Sequence, residues 1–198
     1  MILVIDNYDS FSYNLVQLIG CIVTRSPELP QEIKVIRNDE LTVEEIIQLK
    51  PSHMIISPGP GKPKDAGVCE RVIDHMKDKT SILGVCLGHQ AICEVFGATI
   101  TYAKHLMHGK QSIVQVDQSN LLFHGLEETL SVARYHSLVA KQETIPSDLQ
   151  ITAKTFDKEV MAVKHRNYEI YGVQFHPESV LTPNGETMIS NFLKGAKV

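Results

Sequence analysis

Three short stretches of this chain combine residue types and spacings that could break an acyl bond. The first is Gly84-Val85-Cys86-Leu87-Gly88. The apolar run Ile82 to Val85 reads as a buried strand, and a helix-like segment from Leu87 to Phe96 follows at once, with Gly97 as a C-terminal cap. Cys86 stands at the junction in a G-x-C-x-G pattern, the thiol counterpart of the G-x-S-x-G nucleophile elbow. Such a turn is sharp, and a Cβ on either side would crowd it. A thiol at a helix N-terminus feels the positive end of the helix dipole, which favours the thiolate. The N–H of Leu87 has no partner within its helix and could donate to an oxyanion.

The second stretch is Gly172-Val173-Gln174-Phe175-His176-Pro177-Glu178-Ser179. His176 and Glu178 are two residues apart, so in extended chain both side chains point the same way. Pro177 biases His176 towards that geometry. A histidine oriented by a carboxylate is the base half of a nucleophile–base–orienter triad. The third stretch is Ser57-Pro58-Gly59-Pro60-Gly61-Lys62-Pro63. Its alternating Pro and Gly make a stiff, uncrowded backbone able to present N–H groups to a ligand. It lacks the spacing of a nucleotide-binding P-loop. In Arg134-Tyr135-His136-Ser137-Leu138, Ser137 could offer a hydroxyl and an amide to a polar ligand, and His136 reads as structural.

Each stretch also has a plainer reading. A lone cysteine is often a small buried hydrophobe, a Pro/Gly run is often a turn, and His-x-Glu recurs by chance. Cys86, His89 and Cys93 fall on one helix face and could bind zinc. His105-x-x-His108 reads as loop polarity.

The elements that must position these groups alternate strand and helix over the first half. Ile2–Ile5 is an apolar run suited to a strand buried on both faces. A helix starts near Asp9 or Ser10, either of which could cap it, carries Phe11, Leu15, Leu18 and Ile19 on one side, and ends near Gly20. Residues 33–37 form a second strand. Thr42-Val43-Glu44-Glu45 is a capping box opening a short helix, residues 53–57 a third strand and residues 68–78 a helix. This alternation predicts an α/β fold with a mostly parallel sheet and helices on both faces. Ligands of such sheets bind beyond the carboxyl ends of the strands, where Cys86 and the loop after Ser57 lie. Beyond Gly97, short β-like runs at 99–102, 112–116, 130–135, 149–155, 160–164 and 168–175 suggest antiparallel additions that make the sheet mixed. A helix over 185–194 closes the chain.

The 198 residues predict a single domain spanning 1–198. A net charge of −4 without a basic run argues against nucleic acid or an anionic membrane as partner. No stretch has the length of a membrane span and the N-terminus has no signal-peptide pattern. Cys21, Cys69, Cys86 and Cys93 make no disulfide framework, so a reducing, cytoplasmic compartment is expected.

Taken with Asp6-Asn7-Tyr8-Asp9-Ser10-Phe11 and Met107-His108-Gly109-Lys110, these motifs resemble the class I, triad-type glutamine amidotransferases. More narrowly, they resemble the glutaminase subunits of anthranilate synthase and of 4-amino-4-deoxychorismate synthase, over residues 1 to about 194. The resemblance implies a Cys86–His176–Glu178 triad. It implies glutamine binding by Gly59, Pro60, Gly61, Leu87, Gln90, Ser137 and Leu138. It further implies hydrolysis of L-glutamine, delivery of ammonia to a chorismate-binding partner subunit, and no cofactor or metal on this chain, with magnesium on the partner. Gly61 leans the resemblance towards the anthranilate branch. A competing expectation of another class is a non-catalytic subunit that keeps the fold to bind a partner.

Overall fold

The computed structural model describes residues 1–196. In chain order its main elements are β1 (Ile2–Asp6), α1 (Ser12–Thr24), β2 (Ile33–Arg37), α2 (Val43–Leu49), β3 (His53–Ile56), α3 (Cys69–Met76), β4 (Ser81–Val85) and α4 (Leu87–Val95). The second half adds β5 (Ile100–Tyr102), β6 (Lys110–Val116), β7 (Thr129–Arg134), β8 (Leu138–Ala140), β9 (Leu149–Thr155), β10 (Val160–His165), β11 (Ile170–Val173) and α5 (Gly185–Gly195).

Nine strands form one sheet in the order β2-β1-β3-β4-β11-β10-β9-β6-β7, and β5 pairs with β8 apart from it. The five strands from β2 to β11 are parallel to their neighbours. From β10 to β7 the pairing is antiparallel. The mixed α/β architecture expected from the sequence is therefore present, with the change of direction at β11.

Strand periodicity explains the two core layers. Ile2 and Val4 of β1 pack with Leu15, Ile19 and Ile22 of α1 and Met188, Ile189 and Phe192 of α5. Leu3 and Ile5 face the other way, with Ile46 of α2, Val72 and Ile73 of α3 and Ala91 and Ile92 of α4. Successive side chains of a strand point to opposite faces, so a strand covered by helices on both sides must be apolar throughout. Glu45 and Thr42 form the expected capping box: Thr42 Oγ1 accepts from the Glu45 N–H at 3.2 Å and Glu45 Oε2 from the Thr42 N–H at 2.8 Å.

Two local expectations are corrected. Helix α1 runs past Gly20 to Thr24, because Ile22 and Val23 continue its buried stripe. That burial outweighs the ~1 kcal/mol an interior glycine costs. Its start is not capped by Asp9 or Ser10. Asp9 accepts from the Phe11 N–H at 2.8 Å, and the Ser12 hydroxyl donates to Asp6 at 2.7 Å. Strand β8 has no counterpart among the expected strands; it is only three residues long and pairs with β5 alone.

The sharpest packing constraint lies where β4 meets α4. A Cβ on Gly84 would stand 2.4 Å from the Gly88 carbonyl, and one on Gly88 would stand 2.4 Å from the Ile56 carbonyl oxygen. Backbone cannot yield as a side-chain tip can. Gly88→Ala is therefore expected to lower the unfolding free energy by about 2 kcal/mol or more. Urea unfolding checks this, and a loss under ~0.5 kcal/mol would show that the helix can lift off the sheet cheaply.

Candidate active site

The turn from β4 into α4 holds Cys86 at φ 51°, ψ −99°. A non-glycine residue at positive φ is uncommon, costs on the order of 1–3 kcal/mol, and persists only where its surroundings impose it. They do so here. The Cys86 N–H donates to Val173 O at 2.8 Å and its carbonyl accepts from the Gln90 N–H at 3.0 Å. The two glycines let strand and helix touch on either side. The elbow expected from G-x-C-x-G thus forms, and it lifts the Cys86 thiol at the carboxyl end of β4.

His176 comes from the segment after β11, the strand beside β4. Its N–H donates to Ala133 O at 3.0 Å, and its carbonyl accepts from the Thr182 hydroxyl at 2.7 Å. Its Nδ1 meets Glu178 Oε1 at 2.6 Å, with both side chains almost wholly buried. The other ring nitrogen, Nε2, is buried and has no aligned hydrogen-bond partner. Burial by itself would lower the imidazole pKa, but Cys86 and Glu178, through hydrogen bonding and charge, outweigh it and push it from its ordinary 6.5 up to about 10. Such contacts are often loose until substrate closes the site.

Phe11 and Tyr135 wall the imidazole. Their ring centroids lie 5.8 and 5.0 Å from that of His176 in edge-on arrangements, and 5.1 Å from each other. In the sequence, Phe11 is legible only as part of a helix stripe and of the Asp6–Phe11 motif, and Tyr135 only as a member of its motif.

A cavity of about 180 Å³ opens at Cys86, lined by Gly59, Pro60, Gly61, Gln90, Tyr135, His136, Ser137 and Leu138. Six of the seven residues expected to bind glutamine therefore gather in one pocket. The seventh, Leu87, lies beside it: a Cβ on Gly59 would stand 2.6 Å from Leu87 Cδ2 and 2.5 Å from Asn7 Cβ. The first N–H of α4 and the N–H of Gly59 thus belong to neighbouring residues, as two donors to one oxyanion require. The side-chain nitrogen of Gln90 is already engaged. It donates to Leu138 O at 2.9 Å and to Gln174 Oε1 at 3.1 Å. Gln174 in turn directs its Nε2 to the Cys86 sulfur at 3.6 Å. Gln174 carries no sequence signal beyond lying in the His176 motif.

Beneath the pocket, Arg134 pairs with buried Glu159 and donates from Nε to His136 Nε2 at 3.0 Å. Burial and the Arg134 charge push the His136 pKa down to about 3. His136 is therefore a neutral imidazole in the floor of the site, the structural role its sequence context suggested. The zinc reading fails on geometry. Among the described residues no group of three His, Cys, Asp or Glu side chains is placed to hold a metal ion. His89 and Cys93 are fully buried, with Cys93 Sγ 3.8 Å from His89 Nε2. His105 is exposed and His108 packs edge-on to Tyr135 at 6.2 Å.

With this geometry in hand, comparison with known proteins is specific. The family model described as Glutamine amidotransferase class-I matches residues 3–196. The aminodeoxychorismate/anthranilate synthase component 2 of Bacillus subtilis is 48% identical over 194 residues, which are 98% of this chain and 96% of that protein. The bifunctional protein TrpGD of Thermotoga maritima is 50% identical over 192 residues, 97% of this chain, and the chain spans 32% of its length. Among solved structures, a candidate GMP synthase subunit of Thermoplasma acidophilum superposes with a TM-score of 0.81 at 27% identity, covering 97% of this chain and 91% of that one.

A base whose pKa is raised on folding adds stability that is fully present below its unfolded value, near 6.5, and is lost as pH rises through about 10. The His176 ring is accordingly expected to carry both protons at pH 8. Glu178→Gln should move its titration downward. Imidazole nitrogen NMR shifts against pH check this, and a wild-type midpoint near 6.5 would show that Cys86 and Glu178 do not hold the imidazolium.

Proposed function

The chain belongs to the class-I glutamine amidotransferase family, and from that premise we propose that it hydrolyses the side-chain amide of L-glutamine through a thioester on Cys86. The observation that carries this reading is an elbow Cys86 lining a pocket with Gly59 and Gln90, with the Glu178-held imidazole of His176 leaving the adjacent strand and Leu87 packed against Gly59. A chain serving only to bind a partner needs none of these.

The chemistry divides among the groups as follows. Cys86, as thiolate, attacks the amide carbon. Negative charge moves onto the carbonyl oxygen, where the N–H groups of Leu87 and Gly59 receive it; one such donor is typically worth ~3 kcal/mol of barrier. The amide nitrogen leaves readily only once protonated, as ammonia, and the His176 imidazolium donates that proton from Nε2 as the C–N bond breaks. The neutral imidazole then takes a proton from water, which attacks the thioester, releasing glutamate and restoring the Cys86 thiolate and the His176 imidazolium. Glu178 fixes the tautomer through Nδ1 and stabilises the charge. Gly59, Pro60, Gly61, Gln90, Ser137 and Leu138 hold the amino-acid part of glutamine, with Gln90 acting by fixing Leu138 and Gln174. These steps call for no metal or cofactor on this chain, and magnesium belongs with the partner.

The ammonia serves a chorismate-binding synthase subunit, most directly for anthranilate. The Pro58-Gly59-Pro60-Gly61 loop supports that branch. A second reading, use in 4-amino-4-deoxychorismate synthesis or in both, is supported by the Bacillus subtilis relative, whose name joins the two. Among the described residues no helix is long and apolar enough to cross a membrane. Four unpaired cysteines suit a place in the reducing cytoplasm.

Reconstituted with a chorismate-binding subunit, the chain is expected to release glutamate from glutamine and to support product formation. Cys86→Ala should abolish glutamine-dependent synthesis while leaving synthesis from added ammonium intact. Loss of both activities would contradict separate ammonia-producing and ammonia-using sites, and glutamine-dependent synthesis by the variant would remove Cys86 from the reaction.

A further inference from the structure

The Gly59 N–H can serve an oxyanion only if its peptide plane is turned the right way, and the chain contains a device that turns it. The plane is shared with the Pro58 carbonyl. In a trans peptide the C=O and N–H point in opposite directions, so whatever holds the carbonyl aims the N–H. The structure contains no cis peptide bond among the described residues. The Pro58 carbonyl accepts from the Ser57 hydroxyl at 2.7 Å.

Ser57 has no freedom to do otherwise. It is completely buried. Its N–H donates to Ile5 O at 3.0 Å, and its carbonyl accepts from Asn7 Nδ2 at 2.9 Å. Its Oγ accepts from the Asn7 N–H at 2.9 Å. A hydroxyl has one proton. Because the Asn7 N–H supplies its own, the Ser57 proton must go to Pro58.

Asn7 is pinned in turn. Its Oδ1 accepts from Asn38 Nδ2 at 2.9 Å and from Cys69 Sγ at 3.2 Å. Pro58 and Pro60 have no N–H, so Gly59 supplies the single backbone donor between Ser57 and Gly61. The close approach of Asn7 Cβ and Leu87 Cδ2 to Gly59 leaves no room for a side chain there.

We propose that Ser57, held by Asn7, is a positioning residue for the reaction: it fixes the Pro58–Gly59 peptide plane so that the Gly59 N–H faces the oxyanion. Its hydrogen bonds go to Ile5, Asn7 and Pro58, and none goes to Cys86. Without its hydroxyl the Pro58 carbonyl loses its donor, and the plane can rotate at little cost about the bonds flanking it. The transition state then loses a hydrogen bond that bound glutamine does not need. This inference rests on the glutaminase reading.

The test uses the full chain with its chorismate-binding partner, comparing wild type, Ser57→Ala and Asn7→Ala. Glutamate release gives kcat and KM for glutamine. Alkylation of Cys86 by iodoacetamide reports the thiolate–imidazolium pair, since that reaction makes no oxyanion. Ser57→Ala is expected to lower kcat by about 10- to 100-fold, with KM changed less than about threefold and the alkylation rate unchanged. Asn7→Ala keeps the backbone N–H that directs the Ser57 proton and removes only the amide that holds the Ser57 carbonyl, so it is expected to lower kcat in the same direction but by less. A kcat for Ser57→Ala within about threefold of wild type would overturn the proposal. So would parallel losses of kcat, alkylation rate and thermal stability, which would mark a structural role only. Wild type that releases no glutamate would instead refute the glutaminase reading itself.

Discussion

Everything at this site depends on how closely α4 can approach β4 and β3. Gly84 and Gly88 place backbone against backbone, at separations that exclude a Cβ. That contact forces the chain to turn within one residue, and the residue in the turn is Cys86 at positive φ. Strain of on the order of 1–3 kcal/mol is stored there, small beside the burial of β4 and α4, whose apolar residues are almost wholly out of solvent. The result is a thiol that, though mostly buried, lines the pocket, whereas Cys93 has no exposed surface. Cys93, seven residues on, is fully buried, and burial raises its pKa well above that of an ordinary thiol. The same side chain packs into the helix interior in one place and lines a pocket in the other because the backbone beneath it differs.

The two imidazoles at the site show the same dependence on surroundings. His176 and His136 are both buried, which disfavours charge in each. Glu178 and Cys86 reverse the outcome at His176, while Arg134 reinforces it at His136. One ring is held ready to give a proton and the other is held neutral. Opposite shifts in neighbouring titratable groups are the usual way one site separates its proton donor from its scaffold. Sheet topology makes this possible. His176 leaves β11, which lies beside β4, so His176 and Cys86 emerge at adjacent strand ends.

Much of this is legible without any coordinates. The apolar runs of β1, β3 and β4 declare a sheet buried on both faces, and G-x-C-x-G declares the turn. His176 and Glu178 are readable because two-residue spacing in extended chain leaves little choice of direction. Less legible are groups whose roles depend on contacts distant in sequence. Asn7 and Ser57 are 50 positions apart, and neither spacing nor residue type reveals that one holds the other. Gln174 sits in a motif but gains meaning only through Gln90, 84 residues away. The end of α1 is misjudged from sequence for a simpler reason. Glycine is a weak helix stop when buried Ile22 and Val23 follow it. The short β8 is missed because its one partner, β5, is distant in sequence.

The central claim is that Cys86 carries the acyl group of glutamine during turnover. The most direct measurement is rapid acid quenching of the working complex with glutamine, followed by mass spectrometry of the peptide that contains Cys86. The account predicts a γ-glutamyl group on that peptide during steady turnover, released as glutamate on chase and absent without glutamine. Sustained glutamate release with the γ-glutamyl group on another residue would contradict it.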